Sequence, residues 1–83
     1  MILYKPIHAT FYFRNGEVLR EYITSVFASE LIKFEPFLEP NNEPADDVMT
    51  IYIDTNDNGR LYRRIIKISE LRKIDIPGLY RWC

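Results

Sequence analysis

The spacing of apolar and polar residues along this chain changes several times, and each change marks an element. Two apolar segments, Phe11-Tyr12-Phe13 and Val18-Leu19, flank Arg14-Asn15-Gly16-Glu17. Asn-Gly between such segments predicts a two-residue type I′ hairpin, because both residues tolerate positive φ. That loop length opposes Arg14 to Glu17, Phe13 to Val18, Phe11 to Arg20 and Ala9 to Tyr22. Phe11, Phe13, Val18 and Tyr22 are then expected on one face, since side chains alternate across a strand.

A second hairpin is expected from Val48 to Ile68. Met49, Ile51 and Ile53 alternate inward, the polar run Asp54 to Gly59 makes the turn, and Arg60 to Ile68 returns. The return strand loses its alternation at Arg63-Arg64-Ile65-Ile66, which predicts a bulge or a sharp bend there.

The segment between the hairpins carries two patterns. Phe27, Ala28, Leu31 and Ile32 recur at helical spacing, while Leu31-Ile32-Lys33-Phe34-Glu35 alternates as a strand does. The strand reading is preferred, with a helix over 26–34 as the alternative. Glu-Pro then occurs three times at a spacing of four, at Glu35, Glu39 and Glu43. Proline withholds a backbone donor and fixes φ, so 35–47 is expected to be an exposed acidic loop. Ile68 to Ile76 closes the pattern as a strand, one tight turn and a last short strand.

This order of hairpin, long connection, second hairpin and Ile-x-x-Ser-x-Leu-x-x-Ile, covering roughly residues 8 to 76, resembles the pattern of Sm-like and Src-homology-3-like small barrels. The resemblance implies a mainly β domain over 1–83, a small antiparallel β-barrel of two hairpins plus a short closing strand preceded by a single 3₁₀ turn. The alternative is an α+β, ββαββ arrangement using the helix at 26–34.

Composition narrows the class further. At 47% hydrophobic and 28% charged residues, the 83-residue chain falls with globular domains rather than disordered ones. Its apolar runs are a few residues long, whereas a spanning helix needs about 20, so no membrane crossing is expected. Met1 to Pro6 lacks the basic start and apolar stretch of a secretory leader. Cys83 is the sole cysteine, which leaves no internal disulfide pair. A cytoplasmic location is the expectation.

The net charge of −1 conceals a polarised distribution. Glu35, Glu39, Glu43, Asp46, Asp47, Asp54 and Asp57 occupy a stretch with no Lys or Arg. From Arg60 onward there are seven bases against two acids, a net of +5. Arg60, Tyr62, Arg63, Arg64 and Lys67 on one strand, with Arg81 and Trp82 at the end, form the candidate binding surface. Arginines neutralise phosphates and rings stack on bases, yet Arg, Tyr and Trp are also the types enriched at the energetic centres of protein interfaces. The acidic residues Glu35, Glu39, Glu43, Asp46 and Asp47 would repel a nucleic acid and could steer the domain to a basic protein surface.

Other constellations support less. Asp54-Thr55-Asn56-Asp57-Asn58-Gly59 matches the first half of a Ca²⁺ loop, but Ile65 stands where a bidentate Glu is needed and the flanks read as strands. A plain turn is preferred. His8 is the sole histidine, too few partners for a transition-metal site, and a Ser-His-Asp triad built on it would have no accompanying nucleophile elbow. Gly16, Gly59 and Gly78 each follow Asn or Pro at a turn, so none is left for a phosphate-cradling loop. The expectation is a non-enzymatic module without cofactor or metal that binds a protein, as regulator or inhibitor of a larger partner. Nucleic acid is the alternative, and self-association through Phe37, Leu38 or the C-terminal Tyr80-Arg81-Trp82 the third possibility.

Overall fold

The computed structural model describes residues 7–77. Five strands form two antiparallel sheets: β1 (Ile7–Phe13), β2 (Val18–Ile23) and β5 (Leu71–Asp75) in the order β2-β1-β5, and β3 (Thr50–Asp57) with β4 (Arg60–Lys67). One helix, α1 (Ser25–Leu31), continues into a 3₁₀ segment at Ile32–Phe37, and a 3₁₀ turn at Ile68–Glu70 precedes β5. Among the described residues no ladder joins the two sheets, so the strand pairing does not close into a barrel. No helix among them is long and apolar enough to cross a membrane.

The first hairpin forms where expected, but one register away. Pairs run Phe11 to Leu19, Ala9 to Glu21 and Ile7 to Ile23. The loop has three residues: Gly16 N–H donates to Phe13 C=O (3.1 Å), Phe13 N–H donates to Glu17 C=O (2.9 Å), and Gly16 alone takes positive φ, at 95°. This is a type I turn closed by a glycine bulge. The expected register would have set Arg20 opposite the fully buried Phe11, a desolvated cation with no partner. The observed one buries Ile23 and half-buries Leu19, and turns Val18, Arg20 and Tyr22 to the opposite, exposed face.

Helical spacing prevails over strand alternation at 25–34. Thr24 caps α1, its Oγ1 accepting from Phe27 N–H (3.1 Å). Ala28 and Leu31 then point into the core, and Phe34, one turn on in the 3₁₀ segment, joins them. In the segment 35–47 all five acids are exposed and no regular element follows the 3₁₀ turns, but the segment is anchored to the core. Its start is 3₁₀, Leu38 is buried, and Phe37 packs against the core, which withdraws Leu38 from any contact with a second copy. Glu39 N–H donates to Arg72 C=O (2.9 Å), tying the segment to β5.

The β3–β4 ladder keeps one register from Thr50–Lys67 to Asp57–Arg60, so the expected bulge at Arg63 to Ile66 is not present. The alternation is intact, with Ile66 inward and Ile65 outward. An irregularity occurs instead in β5, where Tyr12 pairs with Lys73 but Phe13 with Leu71, leaving Arg72 as the extra residue. Arg72 C=O is thereby free to accept from Glu39. The core lies between the two sheets and α1, with Phe11, Ile66, Ile68 and Leu71 its largest fully buried side chains.

Candidate functional site

A strand sorts its side chains by parity, and this divides the basic segment. In β4, Arg63, Ile65 and Lys67 face one way and Arg60, Tyr62, Arg64 and Ile66 the other. Arg63 is tied to Asp54 across the ladder (Nε to Oδ1, 3.2 Å). Arg64 donates to Glu17 of the first hairpin (2.8 Å) and lies over the Phe13 ring at 5.2 Å. It therefore joins the two sheets. The five residues expected to make one stripe form two, with the central arginines already paired. Arg81 and Trp82 lie outside the described residues.

The acidic set is also dispersed. Glu39 pairs with Arg72 (3.1 Å). Glu35 and Glu43 line an open groove of about 580 Å³ with Lys33, Ile32, Pro36 and Asn41. Asp46 and Asp47 are exposed in the connection to β3. In the Ca²⁺-like run, Asp54 and Asn56 lie on one face of an extended strand. Asp54 bonds Arg63, Asn56 Oδ1 accepts from Gly59 N–H (2.9 Å), and the turn is Asn58-Gly59 alone. The oxygens do not converge on a point. No cluster of three His, Cys, Asp or Glu able to hold a metal is found among the described residues.

What sequence reasoning missed is apolar. On the outer face of the second hairpin, Tyr52 is 55% exposed directly opposite Ile65, 62% exposed, and Leu61 nearer the tip is 73% exposed. A cross-strand aromatic and β-branched pair is an ordinary unit of sheet stability, but here no described residue covers it. The signal was in the sequence: Ile65 beside Ile66 broke the alternation because the outward position is apolar, not because the strand bends.

Beside this face, β3 has β4 on one side and, among the described residues, an open edge on the other. Two contiguous depressions of about 220 and 250 Å³ follow that edge and share Phe27 and Tyr52. Consecutive β3 residues from Thr50 to Asp54, of both parities, line them, and a strand presents both parities together at its edge. The far wall is α1, through Phe27, Glu30 and Leu31, and the end of β2 bounds the groove beyond Phe27. Unpaired backbone N–H and C=O groups beside apolar rings suit an extended segment that pairs with β3.

Compared with known proteins, the chain matches no family model, no curated protein and no solved structure.

Proposed function

We propose that this chain is a non-enzymatic protein-interaction module whose partner docks on the outer face of β3–β4 and along the open edge of β3. The observation that carries the reading is the outward Tyr52, Ile65 and Leu61 set beside that edge. The exposed Tyr52–Ile65 pair, with Leu61 beyond the Asp54–Arg63 ion pair, is the apolar part of the surface, and an edge strand lends main-chain hydrogen bonds to whatever segment covers it. The domain has 83 residues and offers no convergent polar cluster among those described, so it acts by occupying another protein, as a regulator or inhibitor. The acidic residues Glu43, Asp46 and Asp47 steer it toward a basic surface. The order of elements and the 3₁₀ turn before β5 support reading the fold as an open variant of the small barrels.

The test is affinity capture from cell lysate after nuclease treatment, comparing the wild-type chain with Ile65→Asp. A discrete protein held by the wild type and lost from Ile65→Asp is the expected result. Equal capture by both overturns the placement of the site. Self-association through the same face would appear as a dimer mass in light scattering, abolished by Ile65→Asp.

A further inference from the structure

The three-stranded sheet has its own outward face, and its parity sorts charge as well as shape. β2 sends Glu21 to the side of Ala9, and Arg20 and Tyr22 to the other, while Glu17, just before β2, is held on the Phe13 side by Arg64. Register places His8 opposite Tyr22, Thr10 opposite Arg20, and Tyr12 between Val18 and Lys73. The result is a row along the strand direction. The His8 and Tyr22 rings come first, 5.2 Å apart and tilted, with Tyr22 70% exposed. Arg20 follows, and then Tyr12 with the Arg72 and Lys73 cations 5.5 and 5.8 Å from its ring centre. Among the described residues Asp75, opposite Thr10, is the acid of this face, and Glu39 at its rim is held by Arg72.

We infer that the outer face of β2-β1-β5, which meets the groove along β3 only at Tyr22, is a second binding surface that takes a short single-stranded nucleic acid. His8 and Tyr12 are four residues apart on β1, about 13 Å at ~3.3 Å per residue. That is too far for one base and enough for a base at each end with a phosphate over Arg20 between them. Rings stack on any unpaired base, and cations beside them neutralise the backbone. A duplex keeps its base faces stacked inside and offers this row nothing comparable.

The test is fluorescence anisotropy of labelled single-stranded oligo-dT and oligo-rU, with a duplex as control, at about 50 and 200 mM salt. With two or three phosphates neutralised, the affinity for single strands falls about tenfold across that range. Tyr22→Ala weakens binding about tenfold, as loss of one stack does. Arg20→Ala flattens the salt slope by about 0.7. Both side chains are exposed, and circular dichroism checks that the variants fold. Arg63→Ala, an equal loss of charge on the other sheet, leaves the affinity within twofold. Preference between dT and rU tells whether DNA or RNA is the source. Absence of single-strand binding, duplex binding as tight as single-strand binding, or equal weakening by Arg63→Ala and Arg20→Ala overturns the assignment.

Discussion

The two hairpins turn on the same dipeptide and make different loops. At Asn58-Gly59 both residues take positive φ, 54° and 83°, in a two-residue turn between Asp57 and Arg60, as Asn-Gly favours. At Asn15-Gly16 the glycine alone does so, in a three-residue loop. The second tip projects from the core, with every residue from Asn56 to Arg63 exposed, so local preference decides it. The first is built into the sheet: Arg14 N–H donates to Glu70 C=O (2.9 Å), and Arg14 Nε donates to Ser69 C=O (3.2 Å). There the register that buries Ile23 and exposes Arg20 prevails over the turn. A turn dipeptide selects a loop where nothing else is at stake, and yields where burial of a whole strand face depends on the outcome.

The largest expected effect separates the two hairpins by burial. Phe11→Ala, on the fully buried face of β1, costs about 3 to 5 kcal/mol in urea unfolding. Ile65→Ala, on the exposed face of β4, stays within about 0.5 kcal/mol. Equal losses would mean that the outer face of β3–β4 is covered, and would remove the proposed docking surface.

A smaller effect probes the turns themselves. Asn58→Val forces a β-branched residue into the left-handed region and costs about 2 kcal/mol. Asn15→Val loses chiefly the hydrogen bond from Glu17 N–H to Asn15 Oδ1, about 1 kcal/mol. Thermal unfolding of the two variants ranks them, and the reverse order would contradict the loop assignment. A Cβ at Gly16 or Gly59 meets nothing within 4 Å, so any alanine penalty there is backbone strain alone, about 1 to 2 kcal/mol.

The smallest contrast is between neighbouring arginines. Arg64 bonds Glu17 and covers Phe13, joining the sheets, and Arg64→Ala costs about 1 kcal/mol. Arg63, in an exposed pair with Asp54, costs under about 0.5 kcal/mol. Chemical denaturation of Arg63→Ala and Arg64→Ala in parallel reads the difference, and salt should reduce it only slightly if the packing on Phe13 carries it.

Much of the site was legible once parity is respected. Met49, Ile51 and Ile53 announced the core face of β3, and Tyr52 and Ile65 were visible as apolar residues at outward positions. The run Arg60 to Lys67 misled because a contiguous list of basic residues becomes two half-lists on a strand. The helix at Ser25–Leu31 was placed second to a strand for want of weight on Thr24 as a cap and on Phe34 one turn beyond Leu31. The groove along β3 could not be read from any local pattern, since α1 and the end of β2 make its far wall.

The amino-acid pattern by itself determined the two hairpins, the mainly β class and the inward set of β3, because alternation and turn residues act between near neighbours. Tertiary structure decided the register of the first hairpin, the helix at Ser25–Leu31, the displaced bulge at Arg72 and the partners of Arg64 and Glu39. Each of those depends on burying one side chain against residues far away in the chain, and such a gain exists only after the layers have met.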